Sequence, residues 1–247
     1  MSKLLSITNL SKSYGKNQVL KNISFDIFTN DFVALIGNNG AGKSTLINLM
    51  CKLISSDNGD IKYFDSDGEP NSSYKKHLGI TLDSSFLVNE LNSIEYLKFM
   101  AEFQGISSSS IPTRITDLIE LFDISEPKKD IGKLSSGNKM KVALAASFLN
   151  NPEILILDEP YVNLDIKTIQ NLTDILKSFK NTKTLLITSH NLDLVVDLCD
   201  RFLIMENGVL VAEIKNEENL SSSDLKKKIK GYLTSSNYSI ERIDWLK

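Results

Sequence analysis

Nine consecutive residues, GNNGAGKST (Gly37–Thr45), fit the spacing G-x-x-x-x-G-K-[ST]. Each residue type has a reason to be there if the ligand is a nucleotide. Gly40 and Gly42 leave the backbone N–H groups free to wrap closely around anionic oxygens. Lys43 is long enough to reach the β- and γ-phosphates, and the Ser44 hydroxyl suits Mg²⁺. The whole run Gly37, Asn38, Asn39, Gly40, Ala41, Gly42, Lys43, Ser44 and Thr45 is therefore a candidate phosphate cradle. The buried-looking run FVALI precedes it and an apolar-periodic TLINLM follows, which is the strand–loop–helix setting that such a loop needs.

Two further constellations carry chemistry. In ILILDEP (residues 154–160) four apolar residues place Asp158 at the C-terminal end of a buried strand, beside the phosphate loop in a parallel sheet. Asp158 there can hold Mg²⁺, and the adjacent Glu159 can orient or activate an attacking water. In TLLITSH, His190 ends another buried strand at the same sheet edge, where it suits contact with a γ-phosphate. Lys43, Glu159 and His190 are thus the candidate catalytic set. His77, in a polar loop, takes no role. A second anion-friendly element is GKLSSGNKMK (residues 132–141), where two serines and a glycine open an apolar-faced helix.

The elements that must position these residues alternate along the chain. LLSITNL and LKNISFDIF have period-two apolar patterning and read as antiparallel edge strands. FVALI, EILILD and TLLITS read as buried central strands, with GKSTLINLMCKLI, IKTIQNLTDILKSF and LDLVVDLC as helices between them. NGDIKYFD and KHLGITLD are two more strands, and RFLIMENGVLVAEI is a hairpin turning at its NG pair. SIEYLKFMAEF, TRITDLIELF and KVALAASFLNN form a helical lobe over about residues 92–150. The fold class that follows is α/β: a P-loop NTPase core with a mainly parallel sheet, an antiparallel β edge region and an inserted helical lobe.

Composition narrows the classes. With 41% apolar and 24% charged residues over 247 positions, the chain is an ordinary globular protein with room for a sizeable core. A net charge of −3 argues against a dedicated nucleic-acid surface. Cys51 and Cys199 lack metal spacing and read as buried reduced thiols. The N-terminus reads as a strand rather than a signal peptide, and no apolar run reaches the roughly 20 residues needed to span a bilayer.

With the phosphate loop, LSSGN, ILILDEP, NLD and TSH in this order, the chain resembles the ATPase subunit of ATP-binding cassette (ABC) transporters, to about residue 215. The resemblance implies two such domains packed head to tail around two ATP. LSSGN then looks like the family's Leu-Ser-Gly-Gly-Gln signature, so that Ser135, Ser136 and the Gly137 backbone would meet the phosphates held by a second copy or a related ATPase. Ser136 and Asn138 depart from that pattern. Tyr14, in SYG, matches the aromatic that stacks on adenine, and Asp165, in YVNLD, the aspartate at the dimer seam. Asp83 occupies the place of a glutamine that contacts Mg²⁺ in the family, Gln104 lying far beyond it. The chain then divides into an ATPase domain over residues 1–216 and a short, Lys-rich helical tail over 217–247, and the resemblance implies a separate transmembrane permease partner. The subunit would be peripheral on the inner face of the cell membrane, and the branch it looks most like is export-type. A soluble ABC ATPase acting as an assembly or mechanical factor shares every motif. A P-loop kinase would leave LSSGN and His190 without a role. The run DLKKKIKGY (residues 224–232) reads as a solvated helix face, with anionic lipid headgroups as the alternative contact.

Overall fold

The period-two patterning near the N-terminus becomes a long antiparallel hairpin of β1 (Lys3–Tyr14) and β2 (Asn17–Phe28). The apolar run that follows is β3 (Phe32–Ile36), from which the glycine-rich loop leads into α1 (Lys43–Met50) and then β4 (Asn58–Tyr63). β4 pairs with the free side of β1, giving a three-stranded antiparallel sheet in the order β2–β1–β4. This computed structural model describes residues 2–65, 68–71, 73–82, 86–216 and 220–233.

The remaining elements are β5 (Leu78–Thr81), α2 (Ser93–Phe103), α3 (Ile111–Leu121), α4 (Ser136–Phe148), β6 (Ile154–Leu157), α5 (Ile166–Ser178), β7 (Thr184–Ser189), α6 (Leu192–Val195), β8 (Arg201–Glu206), β9 (Val209–Lys215) and α7 (Ser222–Lys230). They build a second sheet in the order β5–β6–β7–β3–β8–β9, in which the first five strands are parallel and β9 is antiparallel. The β8–β9 turn has φ of 50° at Asn207 and 81° at Gly208. Asn-Gly tolerates two such angles in succession, which suits the twist of a two-residue hairpin.

Both faces of the large sheet are covered, which is why its strands read as continuous apolar runs. Along β3, Val33 and Leu35 face a core shared with the antiparallel sheet and α1, whereas Phe32, Ala34 and Ile36 face the helices. Each fully buried Val, Leu, Ile or Phe side chain among these contributes about 1.5–3 kcal/mol. α2, α3 and α4 all lie between β5 and β6 in the chain, at the position of the expected helical lobe.

Several boundaries differ from the sequence reading. α1 stops at Met50 because Lys52 takes a left-handed φ of 54°, and Leu53 N–H and Lys52 N–H donate back to the carbonyls of Asn48 and Leu49. Those two bonds close the helix in a Schellman turn. α4 begins earlier than KVAL, since Ser135 caps it and SGNKMK is already helical. α6 is a single turn, and α7 is the described part of the expected helical tail, residues 217–219 and 234–247 of which lie outside the described residues. β7 lies between β3 and β6, so Asp158 is one strand removed from the phosphate loop and His190 ends its direct neighbour.

Candidate functional site

β3, β6 and β7 run parallel, and Ile36 is in register with Ser189 and Leu157 with Ile187. Their C-terminal ends therefore share one edge, and the three motifs leave the sheet together. In the first, Gly37 passes so close to β8 that an added Cβ would stand 2.5 Å from the Met205 carbonyl oxygen. Gly42 caps α1 at φ 103°, where a Cβ would meet Leu20 at 2.7 Å. The Lys43 side chain is 7% exposed, and its ammonium group donates to the carbonyls of Gly37 at 2.7 Å and Asn38 at 3.4 Å. A buried cation on a glycine-rich loop at a helix N-terminus is the arrangement a polyphosphate needs.

After β6 the backbone N–H of Asp158 donates to the Thr81 carbonyl at 2.9 Å. Asp158 Oδ1 accepts the Thr188 hydroxyl at 2.6 Å, and that hydroxyl accepts the Glu159 N–H at 2.7 Å. Glu159 itself sits at φ 46°, a left-handed conformation rare for a side-chain-bearing residue. The turn brings its carboxylate back over the sheet edge. There Oε2 lies 2.9 Å from His190 Nδ1 and accepts the His190 backbone N–H at 3.3 Å, while Oε1 lies 3.7 Å from Lys43 Nζ. A carboxylate only accepts, so the contact assigns a proton to Nδ1. His190 thus meets Glu159 directly, a pairing that the sequence reading, which gave it a γ-phosphate, did not contain. Thr188 was missed as well; its signal was a hydroxyl-bearing residue near the C-terminal end of a buried apolar strand.

Ser44, Asp158, Glu159, Ser136 and Asn163 line one cavity of about 420 Å³. One hydroxyl and one carboxylate facing a shared space fit Mg²⁺, which is held by one or two protein oxygens plus phosphates rather than by a protein cage. Among the described residues there is no group of three His, Cys, Asp or Glu side chains that could hold a metal alone. Asp83 lies outside the described residues.

The signature stretch is tied down from within. Ser135 caps α4, its hydroxyl accepting the Asn138 N–H at 3.3 Å. The Asn138 side chain donates to the Ser125 hydroxyl at 2.8 Å and accepts the Ser125 N–H at 3.2 Å, so this departure from glutamine is a structural tether. Ser135 and Ser136 are exposed. Gly137 packs against the loop before α5, where a Cβ would stand 2.5 Å from the Asn163 carbonyl oxygen. Asp165 caps α5 through the Thr168 N–H at 2.9 Å and pairs with Lys141 Nζ at 2.8 Å. The hydrogen bond from Lys141, with help from Thr168, holds the Asp165 carboxyl well below the usual carboxylate range.

Tyr14 ends β1 with 52% of its surface exposed, free to take a planar ring, and Lys12 Nζ lies 5.6 Å from its centroid. Asp57 holds the strand end there, accepting the Ser13 N–H at 2.6 Å and Lys12 Nζ at 3.2 Å.

Residues 20–162 match the family model described as ABC transporter. The linearmycin resistance ATP-binding protein LnrL of Bacillus subtilis is 32% identical over 212 residues, covering 85% of this chain and 68% of the relative. The methionine import ATP-binding protein MetN of Clostridium acetobutylicum is 30% identical over 238 residues, covering 92% and 74%. Among solved structures, an ATP-binding subunit of an ABC transporter superposes with a TM-score of 0.79 at 27% identity, covering 92% of this chain and 99% of that one. The chain belongs to the ABC transporter family, as one of its ATP-binding ATPase subunits.

Proposed function

We propose that the chain hydrolyses ATP bound at Gly37–Thr45 with Glu159 as the base, as half of a head-to-tail pair beneath a separate membrane-spanning partner. The observation that carries this reading is the Glu159 carboxylate, held between buried Lys43 and His190 at the sheet edge that bears the phosphate loop. Glu159 takes a proton from water as that water attacks the γ-phosphorus. The bond to the β–γ bridging oxygen breaks, and ADP and phosphate leave. His190 keeps the carboxylate aimed through Nδ1. A phosphate oxygen meeting Nε2 then requires the doubly protonated ring, whose charge suits the γ-phosphate. When bound, Mg²⁺ draws charge from the phosphate oxygens, with Ser44 and Asp158 as its protein ligands and Asp83 as a third candidate. Tyr14 stacks on the base. Ser135, Ser136 and Gly137 close over the nucleotide of the second copy or a related ATPase, and Asp165 lies at the seam.

The ATPase unit spans residues 1–216 and includes the helical lobe. Export is the direction we favour: the compact stretch from Lys139 to Pro160 looks export-type, and one relative is named for resistance, although another is named for import. Among the described residues no helix is long and apolar enough to cross a membrane. Two measurements test the reading. Glu159→Gln should bind ATP, form a stable pair with it and hydrolyse it about a hundredfold or more slowly; normal hydrolysis would remove Glu159 as the base. The tagged chain, recovered from gently solubilised membranes, should bring down an integral membrane protein in stoichiometric amount. Recovery only with soluble partners would favour an assembly or mechanical factor.

A further inference from the structure

Lys141 is a charged side chain in a place where charge is costly. It is 9% exposed, on the first turns of α4, directly behind the signature stretch. Its ammonium group spans three pieces of chain. It pairs with Asp165 Oδ2 at 2.8 Å, donates to the Asp123 carbonyl at 3.1 Å, and belongs itself to the helix that Ser135 caps. A buried lysine left without such partners would lose several kcal/mol, so the three pieces are held together by it. A second contact runs parallel to the first, since Gly137 lies so close to Asn163 that no side chain fits between them. The signature stretch and the loop ending at Asp165 are therefore one block within each chain.

We propose that Lys141 is a positioning residue that acts across the pair: by locking Asp165 to α4, it fixes the block that one chain presents to the nucleotide of the other. The inference rests on the two-copy reading above. It has a consequence that a purely structural lysine would not share. Loss of Lys141 should slow hydrolysis in the partner's site and spare the site of the chain that carries the change.

Differently tagged chains can be paired so that one site works, the other being silenced by Glu159→Gln. In the first pairing Lys141→Met and Glu159→Gln are in the same chain, so the working site faces the altered block. In the second, Lys141→Met is in the chain with the working site, which faces an intact block. Against a wild-type and Glu159→Gln pair, the first pairing should lose about tenfold or more in rate, since a buried lysine loses its charge-assisted contact with a half-exposed carboxylate. The second should stay within about threefold, and Lys141→Arg should restore most of the loss in the first. Equal losses, a larger loss in the second pairing, or no loss in either would overturn the proposal. If Lys141→Met does not fold, Lys141→Gln keeps a donor for the Asp123 carbonyl while removing the charge that faces Asp165, and the same asymmetry should appear. Failure of the two-copy reading has its own signature. The Glu159→Gln chain, with Lys141 intact, would then form no ATP-dependent pair, which removes both readings together.

Discussion

The Thr188 hydroxyl donates to Asp158 at 2.6 Å and accepts the backbone N–H of Glu159 at 2.7 Å, so one buried side chain on β7 orients both acids. Thr188→Val keeps the shape and removes both bonds. Hydrogen bonds to charged groups are worth about 1.5–3 kcal/mol, and the Glu159 N–H would be left unpaired. Hydrolysis should fall about ten- to a hundredfold, read by phosphate release at saturating ATP. A rate within about twofold of the parent would show that Asp158 and Glu159 hold their places without Thr188.

Gly137→Ala inserts a Cβ where the Asn163 carbonyl oxygen is 2.5 Å away. Backbone does not yield as a flexible side chain does, so the loop to Asp165 must shift, at about 1–3 kcal/mol. A denaturation midpoint lowered accordingly is the expected result. An unchanged midpoint would mean that the loop and α4 part without resistance, which would also weaken the case for a single block.

Asp57 stands just before β4 begins, where β1 continues beyond the pairing, and its carboxylate replaces the missing strand as acceptor for Ser13. The hydrogen bond from Lys12 and the Ser13 N–H hold this carboxyl below the usual range. A depressed carboxylate keeps its partners above its ordinary value and loses them only as pH falls through the lowered one. Asp57→Ala should therefore raise the KM for ATP by a similar factor at pH 6 and pH 8, with kcat little changed. A fall in kcat alone would place Asp57 outside the support of Tyr14.

Cys51 and Cys199 are buried free thiols. Burial pushes the Cys51 thiol up to about 12 and raises that of Cys199 as well. The folded chain thus keeps protons that the unfolded chain begins to release near the ordinary thiol value of about 8.5. Stability is complete below that value and declines as pH rises above it, by up to about 1.4 kcal/mol per unit for each thiol. Urea midpoints at pH 8, 9 and 10 would show the decline, and Cys51→Ala should reduce it by about half, leaving the share of Cys199. In the native chain at pH 8 both thiols should react with iodoacetamide far more slowly than in urea.

What could be read beforehand was whatever local pattern dictates. Continuous apolar runs marked the strands buried on both faces, and GNNGAGKST, DEP and TSH marked the edge where they end. Strand order is a property of the assembled sheet, so the place of β7 between β3 and β6 was not legible, and neither was Thr188 as a hinge between two acids. Lys141 escaped for a related reason. Two positions after Lys139 in a polar SGNKMK opening it looks like a solvated residue, and only the return of the chain at Asp165 makes it a tie. The end of α1 was missed because a left-handed Lys52 leaves no mark in residue type, unlike the glycine usual there.

The central place of β7 also says where the chain tolerates a change of length. β7 is hydrogen-bonded on both sides; Thr188 must face Asp158, and His190, one residue past the strand end, must meet Glu159. A single residue inserted inside Thr184–Ser189 would turn every side chain beyond it to the opposite face. It would offer Asp158 a neighbour without a hydroxyl and turn His190 away from Glu159. The turn just before it, where Asn181 already adopts φ 66°, has no such constraint and could take up an extra residue at the surface. Two insertions only a few positions apart would thus part company, one silent and one abolishing the enzyme.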